Sequence, residues 1–160
     1  SFDDTNLVQQ LLEGPEITST IYVLRNGSIL GSITMRRALE SGNTARAEVT
    51  NEYDAEIETL AAQMMQAFPF RGSFNIQSKV TAQGIVPFEI NCRISGTNSI
   101  RSQFGFNDVA FTIQELLFNE TPSKPTVKLG SAMRVMVDVV YPDMNLSDIS
   151  NKNDQYYLYQ

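Results

Sequence analysis

Polar side chains occupy every second position of the segment Glu89-Ile90-Asn91-Cys92-Arg93. In a β-strand, side chains two residues apart point to the same face of the sheet. The carboxylate of Glu89 and the amide oxygen of Asn91 are hard oxygen ligands of the kind that Mg²⁺ prefers, and the guanidinium of Arg93 suits phosphate or carboxylate. If this segment is a strand, the spacing predicts a divalent cation site beside an anion site.

The preceding segment supplies a partner strand. Ser73–Thr81 and Ile85–Asn91 are predicted to form a hairpin through Ala82-Gln83-Gly84, because the glycine can adopt the left-handed conformation that such a turn requires. Pairing Thr81 with Ile85 sets Gln77 opposite Glu89 and Asn75 opposite Asn91. The polar face of the hairpin then carries Asn75, Gln77, Glu89, Asn91 and Arg93. An ordinary strand with one face in solvent would show the same alternation, so periodicity alone leaves both interpretations open.

The composition of the whole chain restricts the chemistry further. A length of 160 residues with 42% hydrophobic and 19% charged residues is typical of one globular domain. The chain contains no histidine, which excludes Ser-His-Asp and Cys-His catalysis and histidine-based zinc sites. Its net charge of −6 argues against nucleic acid and anionic membranes as partners. The single cysteine, Cys92, and the lack of a long apolar run favour a cytoplasmic protein.

The elements that must position the polar residues are predicted from turn signals and periodicity. Asn26-Gly27 indicates a tight hairpin turn between two β-rich runs. A helical period begins after Asn51, which we expect to cap the helix, and Pro69 ends it. We expect Asn107 to cap a second helix. The expected strands are Leu7–Leu12, Ile17–Arg25, Ser28–Arg36, Thr44–Thr50, the hairpin described above and Ser131–Tyr141, and the expected helices are Asn51–Phe68 and Asn107–Phe118. This order predicts an α+β fold, an antiparallel sheet with helices packed on one face.

Two motifs resemble those of the ATP-grasp superfamily. Glu89-Ile90-Asn91-Cys92-Arg93 is similar to the E-x-N-P-R motif at the end of the family's metal-binding hairpin, and Gln77 lies on the strand before it. Val8 to Glu16 resembles the adenine-binding hinge that is followed by an acidic residue for the ribose. The two motifs occur in the family's order, and the resemblance covers roughly residues 7 to 120. It identifies the chain as similar to the C-terminal, ATP-binding and metal-binding half of an ATP-grasp fold.

The resemblance implies a role for each matching residue. The hinge residues that would contact the adenine are Gln9, Gln10, Leu11 and Leu12, and Glu16 would hold the ribose hydroxyls. Glu89 would bridge two Mg²⁺ (or Mn²⁺) ions, with Asn91 and Gln77 completing their coordination. Arg93 would contact the γ-phosphate or an acyl phosphate. Arg37, which the predicted first-hairpin register places opposite Glu16, is either a second catalytic cation or the partner in a simple cross-strand salt bridge.

Two positions depart from the family's pattern. Cys92 replaces the usual proline, which removes no ligand. Gln77 resembles the residue found in the large subunit of carbamoyl phosphate synthetase, but Ser95-Gly96-Thr97-Asn98 stands where such synthetases have an arginine-rich segment. We therefore expect a carbamoyl phosphate synthetase-like ligase that acts on a carboxylate other than bicarbonate or carbamate.

The implied organisation is a C-terminal lobe over residues 1–120, followed by a linker, a last strand and a polar tail (Pro142–Gln160) that we expect to be loosely ordered. The N-terminal lobe, with its lysine and glycine-rich loop, is not found in the chain. The implied function is ATP-dependent activation of a small carboxylate through an acyl phosphate, by a protein that needs its other lobe and can form homo-oligomers. A non-catalytic nucleotide-binding or assembly module is the alternative, and an unrelated α+β domain that matches by chance is a third interpretation.

Overall fold

The structure, a computed structural model, describes residues 7–40, 42–135, 137–142, 145 and 157–159. The main sheet is antiparallel and has six strands, β1 (Glu16–Val23), β2 (Ile29–Glu40), β3 (Asn43–Thr50), β4 (Gly72–Thr81), β5 (Gly84–Asn91) and β6 (Gly130–Met133). Their order across the sheet is β5-β4-β1-β2-β3-β6. A separate pair joins β7 (Asp138–Val140) to β8 (Tyr157–Tyr159). The helices are α1 (Asp54–Ala67), α2 (Asn98–Arg101) and α3 (Asp108–Leu116), with a 3₁₀ turn at Ser102–Phe104.

The first hairpin forms where the sequence predicts it, but its loop has three residues rather than two, because the register shifts between Tyr22 and Val23. The tight turn at Asn26-Gly27 is closed by the N–H of Leu24, which donates to the carbonyl of Ser28 at 2.9 Å. Gly27 adopts a φ of 90°, a conformation that glycine tolerates without strain. The register pairs Ile17 with Arg36, which leaves Arg37 beside Glu16 at the end of the hairpin.

Two hydrophobic cores lie on opposite faces of the sheet, because successive side chains of each strand alternate between the faces. On one face, Ile57 and Ala61 of α1 pack against Ile17, Ile21 and neighbouring strand residues. On the other face, the helical segments after β5 contribute Ile100, Phe106 and Phe111, which pack with strand residues such as Tyr22, Ile33 and Met35. The predicted α+β class and antiparallel sheet are confirmed. The structure adds that helices cover both faces, whereas the sequence predicts helices on one face.

Two helix boundaries test the predicted caps. Asn107 accepts a hydrogen bond from the N–H of Ala110 at 3.1 Å, so it caps α3 as predicted. The cap predicted at Asn51 is wrong. α1 begins later, after Tyr53, with no side-chain cap, because the carbonyl of Asn51 forms a separate turn with the N–H of Asp54. Phe68 ends α1 directly before Pro69, as expected.

Two predicted strands differ in the structure. Leu7–Leu12 has no regular secondary structure, since the adjacent edge strand β5 contains Pro87, which lacks an N–H, and an irregularity in its register that interrupts the edge. The predicted strand Ser131–Tyr141 is divided. Its first part is β6, which ends at Met133 after pairing with β3, and its last part is β7.

The tail predicted to be loosely ordered contains β8, which pairs with β7. Most of the other residues of Pro142–Gln160 lie outside the described part of the chain. In the described ranges, none of the helices combines the length and the apolar character that crossing a membrane requires.

Candidate functional site

The register of the second hairpin brings the predicted polar residues face to face. Gln77 pairs with Glu89, and Asn75 pairs with Asn91, as predicted. The predicted pairing of Thr81 with Ile85 is wrong, because Thr81 pairs with Gly84 and the loop has two residues rather than three. A register shift between Gln77 and Ser78 compensates for the shorter loop. Such bulges commonly redirect side chains next to functional sites.

Two side-chain amides of the polar face converge on the carboxylate of Glu89. The side-chain amide of Gln77 donates to Glu89 Oε1 at 2.7 Å, and that of Asn91 donates to the same oxygen at 2.5 Å. Glu89 is exposed, and the two amides are half-buried. The structure therefore brings together all three residues that the sequence predicts as metal ligands.

Asn75, on the same strand face, has a different role. It is buried, and its amide donates to Thr18 Oγ1 at 2.8 Å and to Thr20 Oγ1 at 3.1 Å, both on β1. Its hydrogen bonds join β4 to the central strand. Asn75 therefore supports the floor of the site and is held by the protein itself.

Gln77, Glu89 and Asn91 form a group that we call the Glu89 cluster. Arg93 and Arg37 approach this cluster from two sides. Arg93 Nη2 donates to Asn91 Oδ1 at 3.0 Å. Arg37 Nη2 donates to Glu16 Oε1 at 2.7 Å and also contacts Gln77 Oε1. The cross-strand salt bridge that is one interpretation of Arg37 is present, and the same guanidinium reaches the polar face. Arg37 thus connects the predicted ribose-binding acid to the predicted metal ligands.

Arg36 lies on the opposite face of β2, as the register predicts. It forms ion pairs with Glu52 and, at 3.8 Å, with Glu48, and its guanidinium stacks over the ring of Tyr53 at 5.3 Å. The hydrogen bond that it donates to Tyr53 and the neighbouring Glu52 carboxylate raise the pKa of Arg36 above its ordinary value. These partners keep Arg36 at the start of helix α1 and away from the Glu89 cluster.

A cavity of about 310 Å³ lies beside the irregular segment 7–15, and we call it the hinge cavity. All five predicted nucleotide-binding residues line it together with two others, namely Gln9, Gln10, Leu11, Leu12, Glu16, Lys79 and Phe88. The side-chain amide of Gln9 donates to the carbonyl of Phe88 at 3.1 Å and so ties the segment to β5 at the bulge. Leu11 is exposed, and the segment has no regular secondary structure.

Lys79 belongs to this region but is absent from the residues predicted from the sequence. Its Nζ lies 3.5 Å from Glu16 Oε2, and it pairs with Glu16 in the register of β1 and β4. It lies two residues after Gln77, on the same face of the strand. Extending the alternation of polar residues along β4 would have revealed it.

A second cavity, of about 240 Å³, lies on the far side of the Glu89 cluster, and we call it the polar cavity. Its lining side chains are polar or belong to glycine, and they are Arg37, Gly42, Asn43, Thr44, Asn75, Gln77, Asn91, Arg93, Ser95, Gly96, Thr97 and Arg134. A larger depression of about 670 Å³ between β2, β3 and β6 shares Glu16 and Arg37 with these cavities. Gln77, Arg37 and Glu16 therefore form a continuous path between the hinge cavity and the polar cavity.

One wall of the polar cavity is held by a buried ion pair. Arg101 and Asp108 are completely buried, and Arg101 Nη2 lies 2.6 Å from Asp108 Oδ2. Arg101 Nη1 also donates to Ser95 Oγ and Thr97 Oγ1, each at 2.9 Å. The sequence does not predict this pair, because a spacing of seven residues across a turn carries no helical or strand signal.

The donor set fits Mg²⁺ bound together with a phosphorylated ligand. In the part of the chain that the structure describes, no three His, Cys, Asp or Glu side chains are grouped to hold a metal ion by themselves. The site offers one carboxylate, Glu89, with amide groups of Gln77 and Asn91 beside it. Mg²⁺ is commonly bound by one or two carboxylates plus substrate phosphates and water, so this sparse set is sufficient. Each amide would have to turn its oxygen toward the ion, since its nitrogen now faces Glu89.

Comparison with solved structures supports the fold. The chain is similar to N5-carboxyaminoimidazole synthetase from Staphylococcus aureus complexed with ADP, with a TM-score of 0.65, 15% identity, and coverage of 78% of this chain and 36% of that one. It is similar to the phosphoribosylaminoimidazole carboxylase ATPase subunit from Aquifex aeolicus, with a TM-score of 0.62, 15% identity, and coverage of 86% and 45%. It is also similar to a biotin carboxylase–β-γ-ATP complex from Campylobacter jejuni, with a TM-score of 0.60, 13% identity, and coverage of 77% and 30%.

The matching region thus spans less than half the length of each of these proteins. No curated protein matches the sequence of the chain. A family model described as "ATP-grasp in the biosynthetic pathway with Ter operon" matches residues 2–139.

Proposed function

Because the chain belongs to this ATP-grasp family, we propose that it is the ATP-binding and Mg²⁺-binding portion of an ATP-dependent ligase that activates a carboxylate as an acyl phosphate. The observation that carries the proposal is the convergence of Gln77 and Asn91 on Glu89, next to the hinge cavity. The similar solved structures include complexes with ADP and with β-γ-ATP, which is consistent with nucleotide binding in this fold.

The proposed arrangement of the nucleotide follows the path between the two cavities. The adenine occupies the hinge cavity beside Gln10 and Leu12, and Glu16 accepts hydrogen bonds from the ribose hydroxyls. Lys79 and Arg37, which both contact Glu16, lie where the phosphate chain leaves the ribose. The triphosphate then reaches Glu89, and Arg93 binds its terminal phosphate.

The proposed reaction has two displacements. A carboxylate oxygen of the acid attacks the γ-phosphorus, the bond from that phosphorus to the β,γ-bridging oxygen breaks, and ADP leaves. An amine or another nucleophile then attacks the acyl carbon, inorganic phosphate leaves with the bonding electrons, and the nucleophile loses a proton. Mg²⁺, when bound, supplies neutralisation of the triphosphate charge. The residues of this chain contribute positioning and positive charge and form no covalent bond to the substrate.

The proposal includes a second lobe. ATP in this family lies between two lobes, and the matching region spans 36% of the S. aureus synthetase and 30% of the biotin carboxylase. We assign residues 1–120 to the C-terminal lobe and expect the chain by itself not to turn over ATP. Gln77 favours a carbamoyl phosphate synthetase-like ligase, and we expect the protein to be cytoplasmic. The segment after Arg93 favours a substrate acid other than bicarbonate or carbamate.

The test is a comparison of Glu89→Gln with Glu58→Gln in the complete protein. Glu58 is an exposed carboxylate on α1, on the other face of the sheet. We expect Glu89→Gln to lower the rate of acid-dependent ADP release by about 100-fold or more, since loss of a metal ligand costs a few kcal/mol of transition-state stabilisation. Glu58→Gln should leave the rate unchanged. Binding of a non-hydrolysable ATP analogue should require Mg²⁺ in the wild type.

Two outcomes contradict the proposal. Near-normal turnover by Glu89→Gln, with the circular dichroism spectrum unchanged, would refute the metal role. A complete protein that binds the Mg²⁺–nucleotide complex but hydrolyses none with any acid would favour the non-catalytic module instead.

A further inference from the structure

The polar cavity contains one guanidinium, that of Arg134, to which the proposed nucleotide arrangement gives no role. Among the described residues, three guanidiniums line it, those of Arg37, Arg93 and Arg134, and no carboxylate does. We propose that this cavity binds the acid substrate, and that Arg134 binds a second anionic group of that acid. This inference rests on the proposed function in one respect, namely that the bound acid is the one whose carboxylate attacks ATP.

The size and lining of the cavity limit the ligand to a small, polar molecule. Its volume of about 240 Å³ corresponds to roughly eight water molecules at about 30 Å³ each. A dicarboxylate or a phosphorylated acid of three to five carbons fits within this volume. The lining offers amides, hydroxyls and guanidiniums, so an apolar side chain on the substrate would find no hydrophobic partner among the described lining residues.

Arg134 enters the cavity from the end of β6, a strand far from the Glu89 motif in the sequence. Its backbone N–H donates to the carbonyl of Ala45 at 2.8 Å, which fixes the start of the side chain beside β3. Its Nη2 donates to the carbonyl of Gly96 at 2.5 Å and to Ser99 Oγ at 3.3 Å. Within the described ranges, its Nε and Nη1 have no hydrogen-bond partner and no carboxylate forms a salt bridge with it. Three of the five N–H donors of this guanidinium are therefore available to an anion.

The wall opposite the metal ligands is preformed. The buried Arg101 holds Ser95 and Thr97 through their hydroxyls, and the buried Asp108 accepts a hydrogen bond from Asn98 at 2.6 Å. The segment that Arg134 contacts is thus anchored to the protein core at both ends. A ligand that binds there does not have to order the wall, which lowers the entropic cost of binding.

The three guanidiniums have different neighbours, and we assign them different roles. Arg37 contacts Gln77, and Arg93 contacts Asn91, so both lie next to the predicted metal ligands and the terminal phosphate. Arg134 contacts Gly96 and Ser99, which follow Arg93 in the chain. None of its described contacts is a predicted metal ligand. A monoanionic acid would place its one carboxylate at the phosphate and leave Arg134 unpaired. An acid with a second anionic group would place one group at the phosphate and form an ion pair with Arg134 through the other.

The experiment measures acid binding by calorimetry on the protein without nucleotide. The probes are succinate, its phosphonate counterpart 3-phosphonopropionate, and butyrate, which has the length of succinate and one charge. We expect both dianions to bind at least about tenfold more tightly than butyrate, since hydrogen bonds to charged groups contribute this much. The tighter of the two dianions identifies the second group as carboxylate or phosphate.

Variants assign the effect to Arg134. Arg134→Gln should lower the affinity for the better dianion about tenfold or more and leave butyrate affinity unchanged, whereas damage to the wall would weaken both. Arg134→Lys should recover part of the loss, because it keeps the charge but not the planar fork. Arg46→Gln is the matched control, because Arg46 pairs with Met133 on the neighbouring strand and lies outside the polar cavity.

The inference is overturned if dianions bind no more tightly than butyrate, if Arg46→Gln weakens binding as much as Arg134→Gln, or if a non-hydrolysable ATP analogue with Mg²⁺ competes with the dianion. Competition would mean that the cavity belongs to the triphosphate. Failure of the proposed function is distinguishable from this result. If the ATP analogue does not bind but the dianion binds in an Arg134-dependent way, the ligase proposal fails and the anion site stands.

Discussion

Two clusters of charged and amide side chains lie a few residues apart in the chain but differ in their surroundings. In the buried cluster, Arg101 and Asp108 are fully enclosed and are bonded to Ser73, Ser95, Thr97 and Asn98. In the exposed cluster, Glu89 receives two amide groups, and Arg93 follows at the edge of a cavity. The first cluster satisfies its charges internally, and the second leaves donor and acceptor capacity facing solvent.

This difference separates the roles of the two clusters. A buried charge must be paired, because removing it from water costs several kcal/mol that only good hydrogen bonds offset. An exposed carboxylate has no such requirement and can exchange its amide partners for an ion. We infer that the buried cluster holds the wall of the site and that the exposed cluster binds ligands.

The largest effect should come from breaking the buried cluster. Asp108→Ala leaves the Arg101 guanidinium buried without its carboxylate, and we expect it to lower the free energy of unfolding by about 3–5 kcal/mol. Urea denaturation followed by circular dichroism measures this change. A loss below about 1 kcal/mol is typical of solvent-exposed ion pairs. Such a small loss would show that the buried cluster stabilises the fold no more than the Glu89 cluster does.

The opposite result is expected for stability at the exposed cluster. Glu89→Gln should change the free energy of unfolding by no more than about 0.5 kcal/mol, because the residue is exposed and is held by two amides. The same variant should lose about 2.7 kcal/mol of transition-state stabilisation, equal to the predicted 100-fold fall in rate. Parallel urea and turnover measurements check both values, and a strongly destabilised variant would contradict a ligand-binding role.

A helix cap gives a smaller effect next to the buried cluster. Asn107→Ala removes the side chain that bonds the N–H of Ala110 at the start of α3, directly before Asp108. We expect a loss of about 1 kcal/mol in the free energy of unfolding. Asn51→Ala is the control, because Asn51 makes no cap hydrogen bond to α1, and its effect should be several-fold smaller. Equal losses at the two positions would contradict the assigned caps.

The smallest effect is expected for the ion pair that joins the two cavities. Glu16 and Arg37 are 19% and 12% exposed at their side chains, and their atoms lie 2.7 Å apart. A double-mutant cycle with Glu16→Gln and Arg37→Gln should give a coupling of about 1 kcal/mol or less in unfolding, because water still reaches the pair. A coupling above about 3 kcal/mol would place this pair with the buried cluster rather than with the ligand-binding residues.

Local signals account for most of the fold that the sequence predicts. The Asn26-Gly27 turn, the alternating strands and the cap at Asn107 depend on neighbouring residues, and each is present in the structure. The strand predicted at Leu7–Leu12 is wrong because a strand also needs a partner edge, and the edge of β5 is interrupted near Pro87. The single strand predicted over residues 131–141 is wrong for a similar reason, since its two halves pair with different partners.

For the candidate site, the alternation along each strand is enough to predict which side chains of that strand share a face. A period of two is a property of strand geometry, so it is enough to group Glu89 with Asn91 on β5 and Asn75 with Gln77 on β4. The two groups face each other because of the bulge between Gln77 and Ser78, since the predicted pairing of Thr81 with Ile85 is wrong. The residues that complete the site from other parts of the chain are known only from the three-dimensional arrangement. Arg134 reaches the site through strand order and register, and Arg101 and Asp108 support it through burial, which depends on long-range packing that no local pattern encodes.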